Sequence, residues 1–527
     1  MLIDARSNPP RTALECDLCI IGAGPAGLTL ARQLANGRRL ICVVERGGLA
    51  FDHHSQALLN GDTRDGGYPP LQAARVAALG GSTHFWAGWC RPLDPIDFER
   101  REEFPSSGWA ISRSDLDPFY RQAHETLELG PFDYDPGQWE RAASVRRLPI
   151  PAEDIEAILF RKSSIAFGGR RAADLRGPQE VRAYMYAHVQ QLRFSIDGRC
   201  VTSIAFAVPG ARAGFEIRPK TVVLAAGGIE NARLLLLSGT GLQRGPANEH
   251  GIAGRYFTEH MYVDGGVYVP ATRCSLAFHF ARSVRDNGTR RTARGAYAPS
   301  SAAMRRERLL NAALYFHPAY ESDPVFADSR VKALLASWDM VRGRAVPHEF
   351  RQTALHAAGA PLKALRALYL KCRNRDDAYT HWRLRALVEC SADPDNRVEL
   401  GDEPDAFGQP RARVRWQARE VDLRSCARVH LLFDRALQRA GLGNLKLLPD
   451  DPRSWRAAIQ PGLHHLGTTR MHDNPAFGVV DRNSKVHGVD NLYIAGGSVF
   501  TTAGFANPTL TILALTLRLA ERLRELT

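Results

Sequence analysis

The 527-residue sequence predicts an α/β protein in which a dinucleotide-binding domain is interrupted by a second domain of different character. Three observations carry this prediction. A strand-like apolar run enters Gly22-Ala-Gly24-Pro-Ala-Gly27, two later apolar runs enter glycine turns at Gly227 and Gly496, and residues 265–455 lack any turn of that type.

The first element, Asp17-Leu-Cys-Ile-Ile21, reads as a buried strand, and residues 28–34 continue past the glycines in a helical pattern. A second apolar run, 40–44, ends in Glu45, 18 residues beyond Gly27. Strand, G-x-G-x-x-G, helix and an acid about 20 positions on together form the dinucleotide fingerprint. Gly22, Gly24 and Gly27 permit the tight turn, the approach of backbone to a pyrophosphate and close helix packing. Pro25 and Ala26 open the helix, whose free N–H groups suit phosphate. Glu45 is placed to accept from a ribose hydroxyl, with Arg46 beside it in the same site.

A second glycine-rich segment, Gly80-Gly81-Ser82-Thr83 through Trp86-Ala87-Gly88, suits a backbone passing close to a flat or anionic ligand. Residues 221–228 then repeat strand and turn with Ala226 and Gly227, leading into a Leu-rich helix over 231–237. Residues 491–497 repeat them again, ending in Gly496 and Gly497. The last helix is expected to start with Asn507 as N-cap, Pro508 in the first helical position and Thr509 behind it, and to run to about residue 526. Its N-terminus would favour negative charge on a ligand. Within the middle region, residues 361–371 read as a basic amphipathic helix packing its Leu face inward.

Composition removes several classes of function. The chain is 44% hydrophobic and 24% charged, as in ordinary globular proteins. Its net charge of +13 raises nucleic acid as a partner. Only 7 of its 69 basic residues are Lys, however, and they are interspersed with acids without an aromatic-studded basic block. No nucleic-acid partner is expected. Nine irregularly spaced cysteines argue against a disulfide framework. Cys16 and Cys19 lack a second ligand pair, so packing along a strand is expected rather than a metal. With no signal-like or membrane-length apolar stretch, a cytoplasmic protein without membrane contact is expected.

Taken together, these segments resemble the glucose–methanol–choline (GMC) flavoprotein oxidoreductases. The resemblance runs through residues 21–27, 80–88, 107–111, 222–231, 254–260, 464–471 and 478–511, in family order. Residues 393–400 and 405–408 bring it closest to bacterial members acting on sugars, glycosides and aminoglycoside alcohols. It implies a Rossmann-like FAD-binding domain in two parts, 1–264 (with an insertion near 91–180) and 456–527, and an α+β substrate or cap domain at 265–455 on a mixed or antiparallel sheet. It also implies hydride transfer from a sugar-like alcohol to flavin, with O2 or an external compound as final acceptor.

In that family a His in H-x-x-G-T and a nearby C-terminal His or Asn form the catalytic pair. Here these slots hold His464 and Asn507. His464 would take the hydroxyl proton, and Asn507 would orient the substrate oxygen while its own carbonyl caps the helix. Val189 is implied to meet the adenine through its backbone, and His465, His472 and His487 are read as structural or surface residues. Some relatives attach FAD covalently through a His one position beyond His84, where this chain has Phe85; non-covalent FAD is therefore expected. Two other readings remain open on the same scaffold: a non-redox lyase, and a dehydrogenase subunit passing electrons to a cytochrome.

Overall fold

The computed structural model describes residues 1–10, 12–63, 68–168, 175, 180–211, 214–239, 245–272, 274–286, 289–318, 362, 382–449 and 451–526. The expected amphipathic helix at 361–371 lies, apart from Leu362, outside the described residues.

Two large sheets organise the chain. The first is centred on strand Leu14–Ile21, which pairs in parallel with Ile41–Val44 on one side and Phe215–Leu224 on the other. Val181–Met185 and Leu2–Asp4 extend one edge, also in parallel. The late strand Leu492–Ile494 pairs in parallel with Phe215–Leu224. An antiparallel meander, His188–Phe194 and Val201–Ala207, completes this layer. Its central strands are buried on both faces, so they read as unbroken apolar runs. Cys16, Cys19 and Cys42 pack there, and all eight described cysteines are free.

Helix Pro25–Leu34 and the last helix, Thr509–Glu525, cover this sheet with Leu-rich buried faces. The last helix begins one residue later than the sequence suggested. Pro508 is its cap position, no side chain caps it, and the Pro508 carbonyl accepts the Ile512 N–H at 2.8 Å. Asn507 is thus not the N-cap. Its predicted double duty disappears, and its whole amide is available to the cavity described below.

The second sheet is mainly antiparallel, in the order Gly443–Leu447, His260–Pro270, Trp382–Glu389, Ala312–Pro318, Thr289–Pro299, Ile155–Lys162 and Trp89–Cys90. It starts at His260, takes two strands from residues 89–162 and is joined by Ile459–Pro461, so it draws on more of the chain than residues 265–455. One face is apolar. Met261, Val263, Leu314, Phe316, Leu384 and Ala386 pack with Leu423, Val429 and Phe433 of helix Glu420–Arg439. Side chains alternate along a strand, so the other face of this sheet carries His260, Tyr262, Tyr315 and Arg385 and is turned elsewhere. No described helix is long and apolar enough to cross a membrane.

Candidate active site

A cavity of about 480 Å³ runs along the ends of the parallel strands. The glycine turns that the sequence singled out converge on it. Gly22, Gly24, Pro25 and Ala26 line it from the first turn, and Gly81, Ser82, Thr83, Trp86, Ala87 and Gly88 from the second. Ala226, Gly227, Gly496 and Gly497 line it from the two later turns, and Val189, Glu45 and Arg46 line it as well. Two assigned glycines do not reach it. A Cβ on Gly27 would sit 1.9 Å from the Gly22 carbonyl oxygen, and one on Gly80 would sit 2.3 Å from the Gly168 nitrogen, so both serve packing.

The shape suits a dinucleotide. A Cβ on Gly24, Gly227 or Gly496 would meet nothing within 4 Å, so at these points bare backbone faces open space. The second turn becomes a short 3₁₀ helix, Gly81–His84, because Gly80 takes a left-handed φ of 97°. Glu45 is fixed by the first turn: its Oε2 accepts from the Ala23 N–H and its Oε1 from the Gly47 N–H, each at 2.8 Å. Burial raises its pKa against these hydrogen bonds. Asn231 links two of the turns, accepting from the Ala226 N–H at 2.8 Å and donating to Ser498 Oγ at 2.9 Å.

Beside Glu45 lies a buried ion cluster that sequence reasoning missed. Glu230 accepts from Arg46 at 2.6 Å, Arg75 at 2.8 Å and Arg233 at 3.3 Å, and Arg233 continues to Asp405 at 2.8 Å. Burial alone would raise the Glu230 pKa; the Arg46, Arg233 and Arg75 charges outweigh it and hold the carboxyl well below its usual range. The available signal was an acid immediately after a glycine turn in an otherwise Leu-rich helix.

The same cavity is lined by His464, Asn507, Pro508 and Thr509, with Tyr262 and Leu463. The His464 ring lies 4.4 Å from that of His260, centroid to centroid. His464 Nδ1 and both ring nitrogens of His260 are buried without a hydrogen-bond partner. Burial lowers the His464 pKa to about 4, and burial together with His464 holds His260 well below the usual imidazole value. Both rings are therefore neutral at physiological pH. Glu259 holds the backbone of this loop: its carboxyl Oε2 accepts from the His464 N–H at 3.3 Å, and the carboxyl group also faces the Gly462 and Leu463 amides. Leu463 takes a left-handed φ of 64° to present them. Burial pushes the Glu259 carboxyl up to about 8 despite these N–H groups. Glu259 and His260 sit in the 254–260 motif, which by itself gave no hint of their roles.

The other histidines divide. His465 turns its ring toward Tyr68 and Phe257, 6.1 Å and 6.0 Å away, although the residue also borders the cavity. His472 and His487 are half-buried rather than on the open surface, and His487 Nε2 lies 2.8 Å from the His472 carbonyl oxygen. The His84 ring is drawn back onto the Leu79 carbonyl at 2.9 Å, and the exposed Phe85 lines the cavity. Among the described residues no group of three His, Cys, Asp or Glu side chains could hold a metal ion.

Residues 17–350 match the family profile described as FAD dependent oxidoreductase, and residues 392–516 match that of the GMC oxidoreductases. The chain is 24% identical to 2-methyl-1,2-propanediol dehydrogenase of Mycolicibacterium austroafricanum, over 96% of this chain and 95% of that protein. It is likewise 24% identical to 6'''-hydroxyparomomycin C oxidase of Streptomyces lividus, over 95% and 90%. Over a shorter stretch, 28% of this chain and 26% of the relative, it is 32% identical to paromamine 6'-oxidase of Streptomyces fradiae. In fold it is similar to pyridoxine 4-oxidase from Mesorbium loti, with a TM-score of 0.55 at 16% identity over 97% and 99% of the two chains. With the glycine cradle and these matches together, the chain belongs to the FAD-dependent oxidoreductases and is a GMC-type enzyme acting on alcohol donors.

Proposed function

We propose that the chain oxidises one hydroxyl-bearing carbon of a sugar, glycoside or aminocyclitol-like polyol. The single observation that carries this reading is a neutral, half-buried imidazole, His464, sharing one cavity with Asn507 and the glycine turns. Those turns would hold FAD non-covalently, and when bound it would supply a hydride acceptor at N5. His464 takes the proton that the substrate hydroxyl loses as its carbon becomes a carbonyl carbon. Asn507 donates its amide N–H to the substrate oxygen and holds the carbinol hydrogen in line. Glu259 fixes the turn that presents His464. The first N–H groups of helix Thr509–Glu525 favour negative charge at their end of the cavity. The final electron acceptor is O2 or an external compound.

His464 must be neutral to accept a proton, and burial depresses its pKa to about 4. The expected kcat/KM profile is therefore flat through neutrality and falls as the pH drops toward 4, where His464 becomes charged. A rate that climbs steadily on acidification would contradict His464 as base.

Non-covalent attachment follows from Phe85, a side chain that offers no nucleophile, standing at the cavity while the His84 ring is turned back. Acid precipitation of the holoenzyme is expected to leave the yellow colour in the supernatant; a yellow pellet would show a covalent link.

A further inference from the structure

The polar face of the second sheet meets the cavity at two places, Tyr262 and Gly88, the residue before Trp89. Around these points the strands gather charged and aromatic groups. Arg385 grips Asp264 with two hydrogen bonds, Nε to Oδ1 at 2.8 Å and Nη2 to Oδ2 at 3.0 Å. His317 lies 3.8 Å from the same carboxylate. Asp264 is thus already matched by a cation of the protein.

Arg294 is different. Its guanidinium carbon stands 4.5 Å from the centre of the Trp89 ring and 4.6 Å from that of Tyr315, with Phe160 at 5.5 Å. Among the described residues it makes no ion pair, and its Nε is buried without a hydrogen-bond partner. The cavity-lining Tyr262 feels the charges of Arg294 and Arg385 together. Two aromatic faces and a side-chain hydrogen bond with Tyr315 return only part of the hydration that a guanidinium loses on burial. A fixed, planar, multi-donor cation of this kind matches a carboxylate or phosphate better than a neutral hydroxyl.

We infer that the polyol substrate carries a negatively charged group, a carboxylate or a phosphate, and that Arg294 receives it between Trp89 and Tyr315. This rests on the alcohol-oxidation reading and narrows it. The same face is poorly suited to a cationic amino sugar, because its carboxylate, Asp264, is engaged by Arg385 while Arg294 would repel an ammonium group.

The test uses holoenzyme without oxygen and four probes: glucose, gluconate, glucose 6-phosphate and glucosamine. Flavin bleaching gives kcat/KM, and flavin difference spectra give binding of each probe, turned over or not. At least one anionic probe is expected to bind about 10-fold or more tightly than glucose, with glucosamine weakest. Which anion leads distinguishes carboxylate from phosphate. In R294Q, checked for retained flavin, the preference for the anion over glucose should collapse from about 10-fold or more toward one, with R294K intermediate. Equal binding of glucose and both anions by the unaltered protein, or tightest binding of glucosamine, would overturn the inference while leaving alcohol oxidation standing. Tight anion binding with no alcohol ever reducing the flavin would instead overturn the alcohol-oxidation reading.

Discussion

Replacing His464 by alanine is expected to slow reduction of the bound flavin by substrate by roughly 10²–10⁴-fold, the usual contribution of a positioned proton acceptor. The loss should fall on the reductive step. His464 lines the cavity but belongs to none of the glycine turns that would cradle the cofactor, so flavin content should stay near that of the unaltered protein. Neighbouring His260 cannot substitute easily: both of its ring nitrogens are buried, and burial beside His464 holds it far from protonation. Stopped-flow mixing without oxygen separates the two possibilities. A variant that bleaches at an unchanged rate would remove His464 from the mechanism, and one that loses its flavin would assign the residue to structure.

The second large effect is expected at Gly27. A methyl group there would lie 1.9 Å from the carbonyl oxygen of Gly22, a contact between backbone and Cβ that no rotamer change relieves. Helix Pro25–Leu34 would have to move away from the turn that it anchors. Such overpacking typically costs about 1–3 kcal/mol, so Gly27→Ala should weaken FAD binding by about 5- to 150-fold or leave the purified chain colourless. By contrast, Gly24→Ala places its methyl in open space at the cavity and should spare folding while impairing the cofactor alone. Flavin absorbance per chain, with circular dichroism as the control for folding, distinguishes them.

The legible parts of this molecule were those in which local chemistry decides the outcome. The strand before Gly22 and the glycine turns at Gly227 and Gly496 could be read because close backbone approach tolerates few residue types. His464 and Asn507 became visible through their place in the C-terminal motifs. The boundary at Asn507 was misplaced by one residue, since Pro508 fits a cap position almost as well as the first helical turn and the distinction depends on backbone angles. Glu230, with its three arginines, was hidden for another reason. Its partners come from residues 46, 75 and 233, and no local pattern announces an ion cluster assembled across nearly two hundred positions. Arg294 was equally silent, because its meaning depends on Trp89 and Tyr315 from other strands. The His84 and Phe85 register could be counted from the sequence, but the direction in which each ring points required the fold.

Anaerobic mixing of yellow holoenzyme with a candidate polyol, followed through the flavin absorbance band while the product is collected, bears most directly on the proposed chemistry. A loss of yellow colour within a single turnover, matched one for one by a new aldehyde or ketone carbon, is the expected result. Product forming while the flavin stays fully oxidised throughout would contradict it and point to a non-redox use of the same scaffold.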